Sequence, residues 1–222
     1  MDEEIELYRR ELRDAASEIR AGIVFYRGAY HGRPVVLCKS GVGKVNAAMC
    51  TQVLIDRFGA GPILFTGVAG AVDPALEIGD VVISSSCLQH DVDVSPLGFP
   101  RGTIPYQEAS EWVADAELVR LAEQAGRKTF PGRCRIGKVL SGDQFVADRE
   151  QVRRLHEQFG GACAEMEGAA VAQVCAANGV PFVVIRSMSD KADGSADVNF
   201  AEFAVLAAGR SYAIVDEMMK QL

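Results

Sequence analysis

Apolar positions along the chain fall into two alternating rhythms. Ile5, Tyr8, Leu12, Ala15 and Ile19 recur near helical spacing, which predicts an opening helix reaching Ile19. "GIVFYRGAYHGRPVVLCKSG" reads as two strands around Gly32, and "GKVNAAMCTQVLIDRFG" as a helix closed by Gly59. "GPILFTGVAGAV" is a short apolar strand entering a glycine turn, and "GDVVISSSCLQHDVDV" is another strand. From Ser95 to Trp112 the pattern breaks at Pro96, Gly98, Pro100, Gly102 and Pro105. So long a loop in a compact domain is either functional or an interface arm. "ADAELVRLAEQAGRKT" is helical and "GRCRIGKVLSGDQFV" is a strand. Helix 148–158, strand 161–166, helix 167–178, strand "PFVVIRSMSD" and a last helix over roughly 200–221 complete the order. Strands alternating with helices predict an α/β fold: one domain spanning 1–222, its central mixed twisted sheet flanked by helices.

In such sheets ligands gather at the carboxyl ends of strands. The strand ends here read "SGVGK", "TGVAG", "SGDQF", "AEMEG" and "RSMSD", all rich in glycine, hydroxyls or acids. "CKSGVGKVN" fails as a triphosphate loop, because Cys38 stands where the first glycine belongs and Val45 where the metal-binding hydroxyl belongs. "TGVAG" either admits a ligand to the backbone or packs strand on helix. Phe145 in "SGDQF" offers a flat face, though a core role explains it equally well. Glu165 and Glu167 in "AEMEG" stand in an otherwise small, apolar stretch. Acids at a helix start account for one of them, whereas two suggest a bound partner. Asp190 in "RSMSD" is either a cap or an acid that desolvation keeps protonated near neutrality.

Composition narrows the classes. Apolar residues make up 49% of the 222 positions, a globular proportion. A formal net charge of -7 disfavours a nucleic-acid partner. No apolar run reaches membrane-spanning length and no secretory signal opens the chain, so a cytoplasmic protein without membrane contact is expected. Six scattered cysteines without a C-x-x-C pair read as reduced thiols, and three histidines without ligand spacing make no metal site expected.

Together and in order, "MDEEIELY", "KSGVGKVNAA", "TGVAGAV", "GDVVIS", "HDVDV", "SGDQFV", "AEMEGAAVA", "VPFVVIRSMSD" and "NFAEF" resemble the blocks of the 5'-methylthioadenosine/S-adenosylhomocysteine nucleosidases of the nucleoside phosphorylase superfamily. Nine blocks in register cover essentially the whole chain. The resemblance implies hydrolysis of an N-glycosidic bond without a cofactor, and a place in methionine salvage. It implies Asp190 as the acid that protonates adenine, with Ser189 orienting it. Glu167 would bind the ribose and, with Glu4, activate water. Phe145 would stack on adenine, Val146 would read its edge through backbone groups, and Met166 would pack on the nucleoside. Val68, Ala69 and Gly70 would line the sugar, with Val68 where the family commonly has serine. Val42, Phe200 and Met1 would border the 5'-alkylthio group. Leu97 and Phe99 would reach a neighbouring subunit's pocket, implying a homodimer. Family members place a strand ahead of the water-activating glutamate; either the start is assigned too late, or the sheet lacks that strand and Glu4 is expected on a frayed terminus. The rival readings are a futalosine-type nucleosidase, a phosphate-dependent phosphorylase and a non-catalytic nucleoside binder. Phe65 stands where related phosphorylases carry arginine, which favours hydrolysis.

Overall fold

The computed structural model describes residues 2–191 and 196–222, with side chains for all of these except 2, 3, 196–202 and 204. In order, the elements are α1 (Asp2–Glu11), β1 (Arg13–Arg20), β2 (Ile23–Tyr30), β3 (Arg33–Cys38), α2 (Lys44–Phe58), β4 (Ile63–Ala71) and β5 (Val81–Gln89). Then come β6 (Glu111–Val113), α3 (Ala116–Thr129), β7 (Cys134–Ser141), α4 (Arg149–Phe159), β8 (Gly161–Glu165), α5 (Gly168–Ala177), β9 (Phe182–Asp190) and α6 (Ala196–Met219).

The opening helix is shorter than its apolar spacing predicts. It stops at Glu11, and residues 13–20 form β1, antiparallel to β2. The reason is tertiary: Ala15 and Ile19 look outward from an exposed edge strand whose hydrogen bonds go to β2. The other predicted elements appear close to their expected bounds, with α2 ending at Gly59 in the left-handed conformation.

A mixed six-stranded sheet runs in the order β6-β5-β7-β8-β4-β9, and an added antiparallel β5–β9 pairing curls it back on itself. β5 and β9 are buried along nearly their whole length because both faces are covered. Val81, Ile83, Val183 and Ile185 pack with Leu121, Ile214 and Met218 of α3 and α6. Their alternates Val82 and Val184 pack on the opposite face, in the cluster that holds Ala47 and Leu54 of α2 and Ala169 and Ala172 of α5.

β1-β2-β3 form a separate antiparallel sheet. Among the described residues β3 pairs only with β2, and β4 meets β8 only at Gly70 and Ala71. Residues 33–38 and 61–70 both line one cleft between these two open edges. No described helix is long and apolar enough to cross a membrane.

Candidate active site

The topology brings four of the five glycine- and acid-rich strand ends to one place. β4 and β9 run parallel, with Gly67 opposite Arg186; a register shift after Ala69 then sets Asp190 opposite Gly70. β7 and β8 also run parallel and set Ser141 beside Glu165. The fifth strand end, after β3, enters from the neighbouring sheet. A cavity of about 1420 Å³ opens over these ends. Its walls hold Glu4, Val42, Val68, Ala69, Gly70, Phe145, Val146, Met166, Glu167, Ser189 and Asp190, all expected at the site, and Arg186 as well.

Asp190 terminates a strand buried along its whole length and is itself 5% exposed. Ser189 Oγ donates to Asp190 Oδ2 at 2.8 Å. The same hydroxyl lies 3.4 Å from the Ala69 carbonyl, linking β9 to the "TGVAG" strand end.

The two glutamates of "AEMEG" have different surroundings. Glu165 is buried and caps the start of α5: it accepts from the Gly168 amide at 2.8 and 2.9 Å and from the Glu167 amide at 3.2 Å. Ser141 Oγ and Arg186 Nη2 also donate to it. Glu165 is therefore the structural acid, with its valences taken up by the fold. Glu167 is half-buried at the cavity wall and accepts from the backbone amides of Gly43, at 2.8 Å, and Met166. Burial raises its pKa; Arg186 pulls it down without cancelling that effect, and Glu165 pushes it further up.

Arg186 is the residue that sequence reading missed. It sits in the middle of β9, 3% exposed, with Nη2 3.5 Å from Glu167 as well as bonded to Glu165. Burial works against its charge, yet Glu165, Glu167 and Glu4 together hold its pKa above the ordinary value. Its guanidinium lies over the Phe65 ring at 4.4 Å from the centroid. The one sequence signal was a cation inside an apolar strand that faces two acids.

Glu4 is not splayed away from the fold. It is half-buried in α1 and lines the cavity. A Cβ built on Gly67 would lie 1.7 Å from Arg186 Nη1 and 3.6 Å from Glu4 Oε1, which places both side chains against the bare glycine. The expectation of a frayed Glu4 is thus not what this geometry displays.

The loop after β3 closes the site. Gly43, at φ 94, aims its amide at Glu167, and the Lys44 amide donates to Asp143 at 2.8 Å. Lys44 Nζ then grips Asp91 at 2.6 Å and Gln89 at 3.0 Å, tying α2 to the end of β5. Phe145 is 59% exposed at the cavity wall, while Val146 is buried beside it. Val42 is 68% exposed.

Two expected residues, Leu97 and Phe99, are not in the cavity wall. Leu97 is exposed and Phe99 meets Tyr106 edge-to-face at 6.1 Å, both on the long loop away from this chain's cavity. Met1 and the side chain of Phe200 lie outside the described residues. Elsewhere, folding gathers Glu11, His31 and Asp216 within 4.8 Å, a grouping that spacing along the chain does not reveal. Tyr30, His31 and Lys220 already engage Asp216, and Tyr212 engages Glu11.

The family model of the phosphorylase superfamily matches residues 1–220. A 5'-methylthioadenosine/S-adenosylhomocysteine nucleosidase of Tolumonas auensis is 40% identical over 223 residues, covering 100% of this chain and 96% of the relative. The solved nucleosidase of the same name from Neisseria meningitidis, in complex with methylthio-immucillin-A, aligns with a TM-score of 0.95 at 38% identity, over 100% of this chain and 96% of that one. The futalosine hydrolase of Helicobacter pylori strain 26695 aligns with a TM-score of 0.94 at 35% identity, over 100% and 95%.

Proposed function

Because the chain belongs to the phosphorylase superfamily, among its 5'-methylthioadenosine/S-adenosylhomocysteine nucleosidases, we propose that it hydrolyses the N-glycosidic bond of these two nucleosides and releases adenine. The observation that carries the reading is one cavity walled by Asp190, Glu167 and Glu4 at the carboxyl ends of parallel strands.

The chemistry follows from leaving-group and cation stability. Adenine leaves poorly as an anion, so Asp190 donates a proton to it, at N7, while the bonding pair of the C1'–N9 bond passes to the base. Ser189 holds that carboxyl in place. The ribose gains oxocarbenium character, and Glu167 stabilises it and accepts from the sugar hydroxyls. Glu4 and Glu167 position water, whose oxygen bonds to C1' as Glu4 takes its proton. Arg186 keeps the Glu165–Glu167 pair from repelling itself out of shape, and so acts as a positioning residue. Phe145 stacks on the base, Val146 reads its edge, and Met166, Val68, Ala69 and Gly70 shape the sugar site. Val42, with Met1 and Phe200, takes the 5'-alkylthio group.

Water is favoured over phosphate because Arg186 is already engaged by two glutamates, and phosphate requires a cation and donors of its own. The likeness to a futalosine hydrolase favours one second reading, a nucleoside with a bulkier 5' group. Adenine release from methylthioadenosine, S-adenosylhomocysteine and aminofutalosine, each with and without phosphate, separates the readings. Fast phosphate-independent release from the first two is expected; release only from aminofutalosine, or only with phosphate, defeats the proposal.

The reading extends to the assembly and the domain. The protein is a cytoplasmic homodimer whose Leu97 and Phe99 reach the second subunit's pocket, and it is built as a single domain.

A further inference from the structure

Cys38 ends β3 and Cys50 lies in the second turn of α2, yet folding brings their sulfurs to 3.3 Å. Both thiols are free and both border the cavity. A disulfide needs about 2.05 Å between sulfurs, so an approach of little more than 1 Å would join them. Burial lifts the thiols of Cys87, Cys163, Cys175 and Cys134 above their ordinary values, whereas that of Cys50 is lowered.

We propose that Cys38 and Cys50 form a modification site, oxidised by peroxides to a disulfide that restrains the loop over Glu167. In the first step a thiolate attacks one peroxide oxygen. An S–O bond forms, the O–O bond breaks, and hydroxide leaves and is protonated to water. The second thiolate then attacks the sulfenic sulfur; the S–S bond forms, the S–O bond breaks, and the oxygen departs as water. Two electrons pass from the sulfur pair to the peroxide. Cys50 is the first nucleophile, because hydrogen bonding from Cys38 lowers its thiol pKa; the same bond, with burial, raises that of Cys38, which resolves the intermediate.

The bond would tether both ends of the segment 39–49, whose Gly43 amide occupies Glu167. That carboxylate is the one that the nucleoside's hydroxyls must reach. Clamping the loop holds Gly43 on it and weakens nucleoside binding.

The test treats the full chain with hydrogen peroxide, then maps peptides without reductant and measures adenine release. The expected result is a 38–50 cross-link with the loss of two hydrogens, a several-fold rise in KM, and recovery of both on adding a dithiol. Cys50→Ser is expected to give no cross-link and no recoverable rise in KM. Oxidation of other cysteines alone, overoxidation of the pair without a cross-link, or a cross-linked protein of unchanged KM would each overturn the proposal. Peptide mapping needs no activity, so a failed functional reading would be told apart from a failed thiol site.

Discussion

Gly67→Ala adds a single methyl group at the point where β4 passes Arg186. The new carbon would lie 1.7 Å from Arg186 Nη1, where ordinary contact begins at 3.4 Å. Side chain or strand must therefore give by about 1.7 Å, an overpacking change that costs roughly 1–3 kcal/mol of stability. If the guanidinium gives, its 3.5 Å contact with Glu167 lengthens to about 5.2 Å. At an effective dielectric near 20 the carboxylate then loses about 1.5 kcal/mol of attraction. That equals about one pH unit in its pKa, upward. On the proposed mechanism Glu167 stabilises the sugar cation in its ionised form, so the acid limb of kcat/KM should move up by that amount while the alkaline side is unchanged. The assay is adenine release from methylthioadenosine across pH 4.5–8, beside thermal melts of both proteins. Superimposable pH profiles and equal Tm values would refute the close packing of Gly67 on Arg186 and its control of Glu167.

Glu167→Gln separates stability from turnover. The folded pKa of Glu167 is raised, so its contribution to stability is fully present below the ordinary value of 4.5 and is lost as pH rises through the folded one. The glutamine variant should gain in Tm relative to the parent from pH 4 to 8 while adenine release collapses; a gap that widens the other way contradicts the assigned burial. Phe145→Ala should raise KM with little change in kcat, since stacking on a base contributes about 1–3 kcal/mol; an unchanged KM removes Phe145 from the adenine site.

Where chemistry shows as a local pattern, it was legible in the sequence. "AEMEG" and "RSMSD" placed Glu167 and Asp190 at strand ends, and both line the cavity. The alternation of Val81, Val82 and Ile83 between two cores followed from an apolar run that helices cover on both sides. Period alone misled at the amino terminus, where Ala15 and Ile19 fit helical spacing but join an exposed strand pairing with β2. Which of two neighbouring glutamates faces the cavity is decided by partners distant in the chain: Ser141 and Arg186 for Glu165, Gly43 for Glu167. Arg186 escaped notice because a cation in an apolar strand acquires meaning only once the strand register sets it against Gly67. The thiol pair likewise joins residues twelve positions apart, with no spacing motif to mark it.

Asp190→Asn tests the central claim most directly, because it removes the proton that the departing base requires and leaves the shape of the site intact. Adenine release from methylthioadenosine should fall by roughly 10²–10⁴-fold, while binding of the intact nucleoside, measured by calorimetry on the same protein, is retained. Turnover at the parent rate would contradict the account.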